Sequence, residues 1–184
     1  MSLNEWFQKG MTAEEYISGM SKNKEEMQSI YRQFELNKEE KGKLQAFRDK
    51  GLRAMVLTED WCGDALLNNP ILMKVAEEAN MEVRFLLRDQ NLELMDQYLT
   101  NGTSRAIPIF IFIDQEGNEA GVWGPRAPQM QEMVDKGRAE LPDKEAPDFQ
   151  EKQMAMYRGL MSSYLTEEHI WRAVAASIIN NLSK

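Results

Sequence analysis

"TEDWCGDALLNNPIL", residues 58–72, holds the only cysteine of the 184-residue chain. Two patterns meet in it. Residues 52–58, "LRAMVLT", are short, apolar and preceded by a Gly-containing turn, which predicts a buried strand. Beyond the cysteine, Leu67, Ile71, Leu72, Val75 and Ala79 recur three and four apart, which predicts a helix over 64–79. Cys62 is therefore expected where a strand ends and a helix begins. Free backbone N–H groups and the helix dipole at such a point favour a thiolate. Glu59, Asp60 and Asp64, all within three residues of the sulfur, oppose it. At about 4 Å and an effective dielectric near ~20, each charge opposes ionisation by about 4 kcal/mol, cut sharply by solvent and distance. An exposed helix end supplies only about 0.3–1 kcal/mol. Asp64 has an alternative role, capping the helix with its carboxylate turned from the sulfur. The sequence leaves this balance open.

Working outward, residues 81–87, "MEVRFLL", are predicted as a strand and 91–99, "NLELMDQYL", as a helix. "IPIFIFID" (107–114) is the strongest strand signal in the chain. "QEGN" supplies a turn, "EAGVWG" (119–124) a hairpin partner, and 128–139 a last helix. Alternating strands and helices imply parallel strands with helices on both faces, and the closing hairpin implies an antiparallel edge. The fold class is α/β with a mixed central sheet in three layers. Residues 1–50 are expected to be a helical extension, with capping-box starts at Thr12–Glu15 and Asn37–Glu40. Residues 51–140 form the α/β domain. After the acidic connector "ELPDKEAPD", residues 141–184 add two helices, with the whole expected to pack as one unit. Met154, Tyr157, Met161, Tyr164 and Leu165 share a face of the first. Thr166 is expected to cap the second, whose stripe runs through Ile170 or Trp171, Val174, Ile178 and Leu182.

Composition is globular, 42% hydrophobic and 28% charged. A formal charge of −8 with no basic stripe argues against nucleic acid and anionic membranes as partners. No apolar run approaches the roughly 18 residues that cross a bilayer. The start "MSLNEWFQKG" lacks a signal peptide's basic and apolar regions, so a cytoplasmic location is expected. A single cysteine makes no internal disulfide. Cys62 and His169 are too far apart for zinc-ligand spacing, and neither metal nor cofactor is expected.

Three features then resemble the thioredoxin superfamily. "WCGDALLNNPIL" has the Trp-Cys-Gly start, with Pro70 eight residues after Cys62, where thioredoxins kink the active-site helix. "SRAIPIFIFID" resembles the segment entering the superfamily's cis-proline, here Pro108. "DQEGNEAGVWG" resembles the hairpin that follows, ending at Gly124. The likeness is greatest to a bacterial thioredoxin-like branch with a WCGD motif and helical extensions. The resemblance implies a thioredoxin fold, Cys62 as the nucleophile, and a binding groove at Trp61, Gly63 and Pro108, with Ile107 by position; Asp64, next to Gly63, is a further candidate binding residue. Arg105 and Arg126 are expected to return positive charge to its mouth.

The departures bear on mechanism. Where thioredoxins present Cys-x-x-Cys, this chain has Cys62, Gly63, Asp64 and Ala65, so the resolving thiol is absent. Val56 stands where thioredoxin buries an aspartate. The expected activity is monothiol exchange with a protein disulfide or a low-molecular-weight thiol, released by an external thiol. The alternative is a redox-inactive module that recognises an extended peptide at the cis-proline groove.

Overall fold

Strands β1 (Arg53–Thr58), β2 (Glu82–Leu87), β3 (Ile109–Ile113) and β4 (Glu119–Trp123) form one sheet in the order β2-β1-β3-β4, in a computed structural model describing residues 1–184. β1 runs parallel to β2 and antiparallel to β3, and β4 closes the hairpin. The parallel pair is joined by helix α5 (Gly63–Glu78), as parallel strands need a crossover. The α/β class read from the sequence is the class observed.

Strand periodicity divides the core. Ala54, Val56, Phe110 and Phe112 face one side of the sheet; Met55, Leu57, Ile109, Ile111 and Ile113 face the other. The first face is covered by α5, α3 (Lys24–Gln33) and α9 (Glu168–Leu182), which bring Leu67, Ile71, Ile30, Val174 and Ile178 into the same cluster. Trp6 and Phe7 of α1 (Leu3–Lys9), with Leu94 and Met95 of the short α6 (Leu92–Met95), cover the second. Each fully buried side chain of this size contributes about 1.5–3 kcal/mol.

Local signals place the amino-terminal helices. Ser2–Glu5, Thr12–Glu15 and Asn37–Glu40 form capping boxes at the starts of α1, α2 (Ala13–Gly19) and α4 (Lys38–Gln45). Between α1 and α2, Met11 exchanges two 2.8 Å backbone hydrogen bonds with Phe85, which shields the outer edge of β2.

Two expectations are corrected. The helix predicted over 91–99 contracts to Leu92–Met95, preceded by a 3-10 turn at Arg88–Gln90. The Asn91 side chain turns back to the Leu87 carbonyl at 2.7 Å, and the adjacent Leu94 and Met95 are both buried. Thr166 does not cap α9. Its hydroxyl donates to the Ser162 carbonyl at 2.7 Å, so it ends α8 (Phe149–Thr166), and Glu167 stands between the two helices. The remaining helix, α7 (Pro128–Ala139), starts on a proline, whose missing N–H costs nothing there.

Candidate functional site

Cys62 is the N-cap of α5: its backbone is extended, and its carbonyl accepts the Leu66 N–H at 3.0 Å. The Ile107–Pro108 peptide bond is cis, and the Cys62 thiol donates to the Ile107 carbonyl at 3.4 Å. Sulfur and proline loop therefore lie against one another, as the resemblance implies. The thiol is nearly closed off, with Cys62 9% and Ile107 4% exposed. Burial pushes Cys62 up from an ordinary 9.0 to about 11; the Asp64 charge adds to this, while the amides of Ala65 and Asp64 and the Arg126 charge pull the other way. Desolvation decides the balance that the sequence left open.

Asp64 does not cap the helix through its side chain. It forms a 2.7 Å ion pair with Arg126 and accepts a 3.2 Å hydrogen bond from the Tyr164 hydroxyl. Burial and the Asp64 charge raise the Tyr164 phenol above its usual range. Arg126 follows a second cis bond, Gly124–Pro125, and the Asn68 side chain donates to the Pro125 carbonyl at 3.0 Å. At Gly124, φ is 128°, and a Cβ would stand 2.3 Å from the Pro108 carbonyl oxygen. Only glycine lets these two loops close on each other.

Helix α8 lies over the first turn of α5. A Cβ on Gly63 would meet the Met161 sulfur at 2.7 Å, so the thioether rests on the glycine backbone. Tyr164 is the only buried residue of α8, and Tyr157 and Met154 remain exposed.

The other expected site residues divide. Trp61 is 46% exposed beside the sulfur, with the Arg88 guanidinium 5.1 Å above its ring. Arg105 does not turn towards Cys62: both arms of its guanidinium are taken by Asp96, at 2.7 and 3.0 Å. Positive charge near the thiol comes from Arg126. Trp123 is a core anchor, stacked on Phe110 at 4.9 Å and donating to Ser177 at 2.9 Å. His169 is exposed on α9, 3.4 Å from Glu167. Tyr164 and Asn68 carried no site signal in the sequence. Each resembled one more residue of a helix, and their partners lie 100 and 57 positions away.

A mixed sheet, a cysteine capping the helix after its first strand and a cis-proline leading into the third define the thioredoxin class of fold. The match to the family is direct: the thioredoxin family model covers residues 10–141, and the chain belongs to that family. Among solved structures, an HIV epitope-scaffold aligns over 100% of this chain and 98% of its own, at 18% identity and a TM-score of 0.70. A Pseudomonas aeruginosa protein of unknown function aligns over 98% of both chains, at 21% identity and a TM-score of 0.66. Fasciola hepatica thioredoxin aligns over 52% of this chain and 88% of its own, at 25% identity and a TM-score of 0.34. The first two likenesses are of fold alone. A search of curated proteins finds none that matches. No helix is long and apolar enough to cross a membrane.

Proposed function

We propose that this thioredoxin-family chain is a binding module, holding an extended partner segment at the groove between Trp61–Gly63 and Ile107–Pro108, with Cys62 a neutral thiol at physiological pH. One observation carries the reading: the Cys62 thiol is buried and commits its hydrogen to the Ile107 carbonyl. Nucleophilic exchange needs an exposed thiolate. Ala65, 2% exposed, offers no second sulfur. A partner segment would add to the cis-proline loop as a short strand, with main-chain hydrogen bonds giving affinity. In this reading residues 51–140 supply the groove, the terminal extensions frame it, and the setting is cytoplasmic.

The test is the pH dependence of Cys62 alkylation by a small neutral reagent. The expected midpoint lies near 11, well above the unperturbed thiol range. A midpoint below about 8.5 overturns the reading.

Monothiol exchange is the second reading, favoured by the Asp64 and Ala65 amides that act on the sulfur. In it the Cys62 thiolate attacks one sulfur of a partner disulfide and expels the other as a thiolate. An external thiolate then attacks the mixed disulfide and frees Cys62. Ala65→Cys would supply the missing resolving thiol, so a groove built for exchange gains insulin-reducing activity from it, and a binding groove does not.

A further inference from the structure

We propose that a second pocket, lined in part by residues just before Cys62, binds a primary alkylammonium group, the end of a lysine side chain on a partner segment. The pocket has a volume of about 110 Å³ and is lined by Met11, Tyr16, Met20 and Leu87, with Glu59 and Asp60 as its acidic groups. Its walls suit a methylene stem, since thioethers pack adaptably against flexible chains.

Glu59 supplies the charge. It is 8% exposed, and one carboxylate oxygen accepts the Asp89 N–H at 2.9 Å. The other oxygen accepts no hydrogen bond, and no lysine or arginine comes within ion-pair distance of this carboxylate. That oxygen is not among the sealed-off polar atoms of the chain, so it is open to a partner, and a cation entering the pocket would gain a charge-assisted hydrogen bond to it. Asp60 is already engaged: one of its oxygens accepts the Ser21 N–H at 2.7 Å, the Ser21 hydroxyl at 3.1 Å and the Lys22 N–H at 3.1 Å. Those bonds hold the rim in place, and the Lys22 ammonium acts on Asp60 without forming an ion pair.

The pocket and the thiol share one loop. The Glu59 carbonyl accepts the Cys62 N–H at 3.3 Å, and the intervening residue Trp61 is exposed. A segment lying in the Cys62–Pro108 groove and crossing Trp61 would bring a lysine to Glu59. Assigning the cation to such a segment rests on the binding reading above; the affinity of the pocket for an ammonium does not. The charge of −8 on the chain works in the same direction by attracting basic partners.

The experiment titrates the full chain, and its Cys62→Ser variant, with n-butylammonium and with n-butanol, following the methyl resonances of Met11 and Met20. Butylammonium is expected to saturate at least about tenfold more tightly than butanol, and Glu59→Gln to remove that difference. Equal binding of the two probes, or undiminished ammonium binding in Glu59→Gln, overturns the proposal. If Glu59→Gln does not fold, Met20→Lys replaces it, its own ammonium competing for Glu59 and abolishing probe binding. A second arm compares an extended peptide carrying one lysine with the same peptide acetylated at that lysine. Tighter binding of the free lysine supports the partner assignment; butylammonium binding without it overturns that assignment. Because the methyl readout persists in Cys62→Ser, failure of the groove reading at Cys62 is distinguishable from failure of the pocket.

Discussion

The Cys62 thiol donates to the carbonyl of Ile107 at 3.4 Å, and the next bond along that loop is the cis link to Pro108. The sulfur is thus tied to the loop it would have to leave in order to react. A thiol stabilised in its protonated form makes the fold sensitive to base. Its folded value of about 11 lies above the ordinary 9.0, so its contribution is full below pH 9.0 and is lost as pH rises through about 11. Relative to Cys62→Ser, the native chain is expected to lose about 2 kcal/mol of unfolding free energy across that window. Denaturant titrations of both proteins at several alkaline pH values measure it, and parallel pH profiles would falsify it.

Asp64 and Arg126 act on the thiol with opposite signs. Asp64→Asn removes a charge that raises the Cys62 value and leaves the Arg126 charge that lowers it. The alkylation midpoint is expected to fall in Asp64→Asn and to rise in Arg126→Gln. Both residues are largely buried, so breaking their pair also costs about 3 kcal/mol. Tyr164→Phe, which loses one hydrogen bond to Asp64, is expected to cost about 1 kcal/mol and to leave the midpoint in place. Alkylation kinetics beside thermal unfolding separate the two effects.

What the sequence disclosed depended on how far apart the interacting residues lie. A run of β-branched and aromatic residues makes β3 legible, and all five of its residues are buried, with Ile109, Ile111 and Ile113 in one cluster and Phe110 and Phe112 in the other. The capping boxes at Thr12 and Asn37 are three-residue signals and were equally visible. Cys62 and the Ile107–Pro108 loop are placed together by resemblance, because no local pattern joins Cys62 to Ile107, 45 positions away. The Thr166 signal misled for a local reason: a hydroxyl that can cap the next helix can also bond back into its own. Arg105 misled because Asp96, nine positions away in the irregular stretch after α6, claims its guanidinium. The packing of α8 on Gly63 had no sequence signature, as a methionine on a helix face does not specify what it covers.

Asp60 ties the loop between α2 and α3 to the Cys62 loop and is expected to release it in acid. Burial alone pushes this carboxyl up, but hydrogen bonds from Ser21 and Lys22 outweigh it and hold Asp60 below the ordinary 3.8. Its contribution is therefore present above pH 3.8 and lost as pH falls through the lower folded value. Asp60→Ala removes a cap-like acceptor and is expected to cost about 1 kcal/mol at neutral pH. The gap in Tm between the native chain and the variant should close in strong acid, below the lowered folded value; a gap that persists there would show that the bonds do not depend on the charge.

The end of β1 is held by a buried polar relay. The Thr58 hydroxyl oxygen lies 3.0 Å from the Asn69 side-chain nitrogen, which donates to it, and 3.3 Å from the Tyr16 hydroxyl. Thr58 and Asn69 are fully buried and Tyr16 is 3% exposed, so water does not replace a lost partner. Thr58→Val keeps the shape and deletes the hydroxyl, leaving both neighbours without it. At about 1–3 kcal/mol for each group stranded, the variant is expected to lose about 2–6 kcal/mol. Thr58→Ser keeps the hydroxyl and should lose only the methyl, about 0.8 kcal/mol. Tyr16→Phe, which removes one member and leaves Thr58 bonded to Asn69, should fall between them. Urea midpoints at constant m-value give the ranking Ser, Phe, Val in increasing cost. Tyr16 also lines the pocket with Glu59, and its hydroxyl is paired with Thr58, so Tyr16→Phe is expected to leave butylammonium binding within about twofold of the native chain. A larger loss would mean that the hydroxyl, and not Glu59, receives the cation.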